Sequence, residues 1–190
     1  MDHFFQTLPG WFDDRDKEIY DAVVNKFQDG ATFVEVGSYK GRSACAMAVN
    51  IINSNKNIKF YCVDTWKGSP EHQKGQPYED IDVINGVLYD VFLKNIQPVK
   101  NFITPIKEES VEAAKHFNDN SLDFVFLDAD HSYEAVTKDL YTWFYKIKNG
   151  GVLSGHDWQW SSVQRAVIDF ATNFRLEVQN NSTIWFINKG

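Results

Sequence analysis

The chain has 190 residues, 43% hydrophobic and 15% aromatic, the profile of one globular domain long enough to bury a core. Its net charge of −7 and the lack of any Lys/Arg block exclude nucleic acid as the main partner, since phosphate binding needs a basic patch. No apolar run reaches the roughly 18–20 residues of a membrane-crossing helix, and the start lacks a signal peptide's layout, so a cytoplasmic protein with no membrane partner is expected.

Residues 1–12 (Phe4, Phe5, Leu8, Trp11, Phe12) read as an aromatic arm. It packs on its own domain, over a site, or on another subunit, which would make a homo-oligomer. A helix is expected from about Asp14, with Ile19, Val23 and Phe27 inward and Gly30 at its end. Thr32–Ser43 follows as a β-branched strand (Phe33, Val34, Val36), a break at Gly37, and a small-residue helix that runs from Gly41 to about Ile52. Lys59–Asp64 reads as a second strand that ends in an acid. The stretch 65–80, with Gly68, Pro70, Gly75 and Pro77, is a long polar loop of the kind that carries function.

A helix over 81–96 is expected, with Ile84, Leu88, Val91 and Phe92 on one face, then a short strand over 101–107 and a helix over 110–117. Leu122–Leu127 is a strongly apolar fourth strand, capped by Asp128-Ala129-Asp130-His131. The next helix presents Tyr133, Val136, Leu140, Trp143, Phe144 and Ile147, and Asn149-Gly150-Gly151 stops it. Val152–Gly155 is a fifth strand, and Ser161-Ser162-Val163-Gln164 has capping-box form before another helix. Residues 174–178 and 183–187 read as an antiparallel hairpin around Asn180-Asn181-Ser182. Cys45 and Cys62 have no CxxC spacing and read as core thiols in a reducing compartment. Alternating strands and helices without repeat or linker predict a single doubly wound α/β domain over 1–190, Rossmann-like with helices on both faces.

Ligands bind outside the carboxyl ends of such strands. Four ends here carry acids or histidine: Glu35 and Gly37, Asp64, Asp128 to His131, and His156-Asp157. The spacing Glu-x-Gly-x-x-x-Gly-x-Ser departs from the Gly-x-Gly-x-x-Gly of dinucleotide enzymes. An acid ahead of the first glycine suits a ligand with an amino group, such as S-adenosylmethionine. Asp64 is placed to accept bonds from ribose hydroxyls. Glu108, Glu109 and Ser110 open a helix and serve either an adenine or an N-cap. Asp128, His156 and Asp157 form a candidate site for Mg²⁺ or another divalent metal. His131 is a candidate general base for a substrate hydroxyl.

These residues resemble the class I S-adenosylmethionine-dependent methyltransferases, and among them the small-molecule O-methyltransferases that include macrocin-type and cephalosporin-biosynthesis enzymes. The resemblance lies in Glu35 to Ser43, in Val63-Asp64-Thr65-Trp66 with Gly68, in Phe126 to Tyr133, and in Gly150-Gly151 with Gly155-His156-Asp157. It runs from about residue 11 to 189. It implies seven strands with the last antiparallel. It also implies a cofactor site drawn from Glu35, Gly37, Ser38, Tyr39, Gly41, Ser43, Asp64, Thr65, Trp66, Glu109, Ser110 and Asp128. Metal-dependent relatives hold Mg²⁺ with acids that map to Asp128 and to His156/Asp157, and a histidine base maps to His131. One departure stands out: His156 occupies a position where those relatives carry a carboxylate. The expected reaction is methyl transfer to oxygen on a small hydroxylated acceptor, with a sugar among the candidates. The loop bearing Trp66, His72 and Tyr78 would select that acceptor. A non-catalytic cofactor-binding or assembly protein and a nicotinamide-dependent reductase are the alternatives.

Overall fold

The computed structural model describes residues 1–190. The first half of the chain forms α1 (Asp14–Lys26), β1 (Thr32–Val36), α2 (Arg42–Ser54), β2 (Lys59–Asp64), α3 (Ile81–Ile84), α4 (Leu88–Asn95) and β3 (Thr104–Lys107). The second half forms α5 (Ser110–Ala113), β4 (Leu122–Leu127), α6 (Tyr133–Phe144), β5 (Ile147–Gly155), α7 (Ser161–Phe174), β6 (Gln179–Asn181) and β7 (Ile184–Asn188). The seven strands lie in the order β3-β2-β1-β4-β5-β7-β6. Pairing is parallel from β3 through β5, and β7 runs antiparallel to both of its neighbours. This is the doubly wound, mostly parallel sheet that the sequence predicts.

The two-residue period of the strands divides the core. Phe33, Phe60, Phe124 and Phe126 face one side, where they join Tyr20 and Val24 of α1, the small face of α2, and Phe92 of α4. Val34, Val36, Val63, Val125, Leu127 and Leu153 face the other side, against Leu140 and Trp143 of α6 and Val167 and Phe170 of α7. Strands buried on both faces read as continuous apolar runs, which explains why β2 and β4 match their predicted bounds. The N-terminal arm packs on its own domain, since Phe5 and Phe12 are buried in the first of these clusters. Cys45 and Cys62 are free and buried, as core thiols should be.

Several elements differ from expectation. The inward stripe of α1 is Asp16, Tyr20 and Val24, one position round from Ile19 and Val23. The helix expected over 81–96 breaks into α3 and α4, with Gly86 at φ +69° between them. Residues 97–102 form a 3-10 turn, so β3 starts only at Thr104, and α5 is a single turn that continues as a 3-10 turn to His116. Ile147 leaves α6 and begins β5, which includes Asn149-Gly150-Gly151, with a register shift against β4. No side chain caps α7: its N-cap is Trp160, and Ser162 Oγ instead donates to the His131 carbonyl at 2.6 Å. Helix α7 takes Phe174, so the first hairpin strand is Gln179–Asn181.

Candidate active site

Strand order reverses at β1: β2 and β3 lie on one side, β4 and β5 on the other. A crevice opens at such a point. Here it is a cleft of about 1120 Å³ lined by the ends of β1, β2, β4 and β5 and by the loop after β2. Gly37 has φ +90°, and a Cβ there would lie 1.9 Å from the Asp128 carbonyl oxygen. Asp128 N–H donates to the Val36 carbonyl at 2.8 Å, so the ends of β1 and β4 meet backbone to backbone. Asp64 organises the turn that follows, accepting the N–H groups of Tyr39 and Trp66 at 2.8 and 2.7 Å. Burial raises its carboxyl above the ordinary range.

Gly37, Ser38, Tyr39, Ser43, Asp64, Thr65, Glu109, Ser110 and Asp128 all line the cleft. Gly41 and Trp66 do not. A Cβ on Gly41 would meet the Phe92 and Ile96 side chains at 3.1 Å. Trp66 is buried against Tyr89 and Phe92, with ring centroids 4.5 and 4.6 Å away. Its Nε1 donates to the Tyr39 carbonyl at 2.9 Å. Both residues shape the turn by packing, a correction to their expected contact with a cofactor. Glu35 lies beneath the cleft, 1% exposed, on the sheet face covered by α1. Tyr20 Oη donates to its Oε2 at 3.0 Å. Glu35 Oε1 and the Ser38 hydroxyl are buried without partners. Burial pushes the Glu35 pKa up to about 7. At the other end, Ser110 Oγ donates to Asp139 at 2.5 Å and accepts from Trp143 Nε1 at 2.9 Å. Glu109 occupies the N-cap position of α5, but its side chain makes no capping hydrogen bond.

The floor between β4 and β5 carries a chain of acids and imidazoles. His131 Nδ1 lies 2.7 Å from Glu71 and its Nε2 2.9 Å from Asp157 Oδ2. His156 Nδ1 is 3.3 Å from the same Asp157 oxygen and 4.0 Å from Asp128, while its Nε2 is 3.5 Å from Asp16 of α1. Burial opposes charge on both rings, but the carboxylates outweigh it. Asp157, Asp128 and Glu71 lift His131 to about 9. Asp128, Asp157 and Asp16 lift His156 to about 11. Burial also works against the Asp157 carboxylate, yet the two rings hold it well below the usual range. Asp128, buried beside Asp157, is raised by that burial. Asp16 and Glu71 escaped the sequence reading. An acid in a first helical turn looks like a dipole partner, and Glu71 was one polar residue in a loop already singled out.

Aromatic rings frame the mouth. Trp11 stacks on His72 at 5.7 Å and meets Tyr78 edge-on at 5.9 Å. Tyr78 reaches Trp160 at 6.5 Å, and Trp160 lies 4.6 Å from the His131 ring. Trp11 and Tyr78 are 56% and 46% exposed, so their faces are available to a ligand.

The sequence profile of a family described as a methyltransferase domain matches residues 34–158, from inside β1 to just past β5. The chain belongs to this methyltransferase family. An uncharacterized protein of Acanthamoeba polyphaga mimivirus is 26% identical over 143 residues, which are 74% of this chain and 58% of that protein. The methyltransferase thus spans less than two thirds of that relative's length. Among solved structures, the O-methyltransferase NovP is 14% identical, with TM-score 0.69 over 91% of this chain and 78% of its own. Calicheamicin methyltransferase CalS11 is 12% identical, with TM-score 0.66 over 93% and 79%. At such identities the likeness shows the fold. S-adenosylmethionine is the cofactor that the family implies, and no helix in the chain is long and apolar enough to cross a membrane.

The site suits that cofactor. Two unpartnered buried oxygens, Glu35 Oε1 and Ser38 Oγ, lie where a ligand's ammonium would satisfy them, and a bare turn leads into the N-terminus of a 13-residue helix. A resident divalent ion suits it less. The ligand atoms that converge within 4.8 Å belong to Asp128, His131 and Asp157. His156, expected in that set, turns Nδ1 toward Asp157 and Asp128 at 3.3 and 4.0 Å and is held from behind by Asp16 at 3.5 Å. Asp157 Oδ2 already faces a nitrogen of each ring, and an imidazole must lose its proton to bind metal. The residues present do not fit the expected metal site.

Proposed function

We propose that this methyltransferase acts on a hydroxyl oxygen of a small acceptor, with a sugar among the candidates. The observation that carries this reading is the His131 ring at the cleft floor, oriented through one nitrogen by Glu71 and through the other by Asp157. The likeness to the O-methyltransferase NovP agrees with it. S-adenosylmethionine supplies a methyl group already activated on a sulfonium, so the protein's work is alignment and removal of one proton.

In this reading Ser38 and Ser43 hold the methionine end, and Glu35 beneath them supplies the counter-charge. Asp64 accepts from the ribose hydroxyls with the lone pairs its two backbone donors leave free. Glu109 and Ser110 flank the adenine. The acceptor lies under Tyr78 and Trp160, its hydroxyl toward His131 Nε2 and Asp157. The acceptor hydroxyl displaces Asp157 from Nε2 of the neutral ring, that nitrogen takes the hydroxyl proton as the oxygen gains the methyl group, and Glu71 at Nδ1 holds the resulting imidazolium. Because Asp157, Asp128 and Glu71 raise His131 to about 9, only about one ring in a hundred is neutral at pH 7. Transfer should therefore accelerate with rising pH and level off near 9.

The test is an acceptor screen with S-adenosylmethionine, followed by the pH profile of kcat/KM for wild type and His131→Ala. A base contributes roughly 10²–10⁴ in rate, so His131→Ala should lose that much together with the alkaline rise. Unchanged transfer by His131→Ala would remove it as the base. A screen in which no acceptor is methylated, despite cofactor-induced stabilisation, would favour a non-catalytic binding protein. Stabilisation by NAD or NADP alone would favour the reductase alternative.

A further inference from the structure

Asp16 belongs to the first turn of α1, remote in sequence from every other residue of the cleft floor. It is buried, and its two oxygens are committed. Oδ1 accepts from the Thr183 hydroxyl and Oδ2 from the Asp13 backbone N–H, both at 2.8 Å. Asp16 Oδ2 lies 3.5 Å from His156 Nε2. The opposite ring nitrogen, Nδ1, faces Asp157 at 3.3 Å and Asp128 at 4.0 Å. His156 itself is 6% exposed, and Trp185 Nε1 donates to its carbonyl at 3.1 Å, fixing the backbone from the far side. One imidazole is therefore enclosed by carboxylates from α1, from the end of β4 and from the residue after it.

This arrangement exchanges signs with the pattern expected for a metal site. A carboxylate at 156 would add a third negative ligand for an ion, but it would also sit against Asp16 with no donor between them. An imidazole at 156 instead turns Nδ1 toward the pair Asp128/Asp157 and Nε2, buried without a hydrogen-bond partner, toward Asp16. Like carboxylates share such a site only with a proton or a cation between them.

We infer that the His156 ring, backed by Asp16, takes the place of the divalent ion, so that a covalently attached cation bridges Asp128 and Asp157 and the site has no resident metal. The inference rests on the reading of this cleft as the methyl-transfer centre. It makes His156 and Asp16 positioning residues: they hold Asp157, which in turn orients His131.

The test compares wild type with the double variant Asp16→Asn, His156→Asp, which restores a carboxylate and removes the acid behind it. Mn²⁺ binding is followed by the electron paramagnetic resonance signal of the free ion. Thermal unfolding is measured with Mg²⁺, with Mn²⁺ and with chelator, and S-adenosylhomocysteine is added in parallel to each protein. Wild type should leave Mn²⁺ free and show the same Tm with metal and with chelator. The double variant should take up one Mn²⁺ per chain and gain Tm with it, and a further Asp128→Asn change should abolish both effects. Stoichiometric Mn²⁺ uptake by wild type, lost in Asp128→Asn, would overturn the inference. So would a folded double variant, judged by its response to S-adenosylhomocysteine, that binds no more Mn²⁺ than wild type. If the double variant does not fold, the wild-type titration decides alone. A wild type stabilised by neither S-adenosylhomocysteine nor S-adenosylmethionine would instead remove the underlying reading of the cleft, a separate result from the metal titration.

Discussion

Replacing Gly37 with alanine tests whether the ends of β1 and β4 are joined as tightly as described. The added methyl carbon would lie 1.9 Å from the Asp128 oxygen, 2.4 Å from its carbonyl carbon and 2.8 Å from Ala129 Cα, all backbone atoms that no rotamer change can move. Overpacking of this kind costs about 1–3 kcal/mol. The positive φ adds roughly 1–2 kcal/mol for a residue with a Cβ. The total, about 2–5 kcal/mol, corresponds to a Tm loss of about 4–20 °C in a chain of this size. Gly75→Ala is the control: its φ of +81° is similar, but nothing lies within 4 Å of the new atom. Thermal and urea unfolding of the two variants isolate the backbone overlap, for which Gly37→Ala should lose about 1–3 kcal/mol more. It should also lose its stabilisation by S-adenosylhomocysteine, because the turn and Asp128 must separate. Equal losses in the two variants would refute the close strand contact.

Glu35→Gln keeps the Tyr20 contact and removes a charge. The Glu35 pKa is raised from 4.5 to about 7, so the wild type loses stability as pH rises across that interval and the variant does not. Their Tm values should converge below about pH 4.5 and separate in favour of Gln above 7, while cofactor affinity, by calorimetry, falls by about tenfold or more for a lost charge-assisted bond of roughly 1.5–3 kcal/mol. His131 is raised from 6.5 to about 9, so its contribution to stability is complete below 6.5 and lost as pH climbs through 9. The wild-type Tm should fall across that window more steeply than that of His131→Asn, and parallel curves would refute the Glu71 and Asp157 contacts. Trp160→Ala should raise the acceptor KM severalfold and leave S-adenosylhomocysteine binding unchanged, a split visible in initial-rate kinetics.

The fold was legible where one physical signal dominates. Strands β2 and β4 are apolar runs, the first ending in an acid and the second followed by one, and no helix period competes with them. Helix α1 starts where expected but ends at Lys26, short of Gly30, and its inward stripe takes in Asp16 and Tyr20, whose polar atoms find partners in the interior. The break at Gly86 and the passage of Ile147 into β5 depend on neighbours distant in sequence, so a local pattern runs through them. The strand-end acids and histidines were legible as a group, since topology gathers them onto one rim. Their pairing was not: whether His156 faces a metal or Asp16 depends on how α1 crosses the sheet. Gly41 and Trp66 show the same limit, because a glycine cleared for a phenyl ring reads like one cleared for a ligand.

The link from Asp16 to Thr183 has a consequence for how the protein is made. The carboxylate that backs His156 is held by a hydroxyl just ahead of β7, and the indole of Trp185 secures the His156 backbone. A nascent chain emerging from the ribosome can assemble β1 through β5 with α1 already docked, yet it lacks the last two clasps until residues 183 and 185 have cleared the exit tunnel. The cleft floor is thus closed by a contact between residues 167 apart in sequence, so its completion waits on a pairing of high contact order.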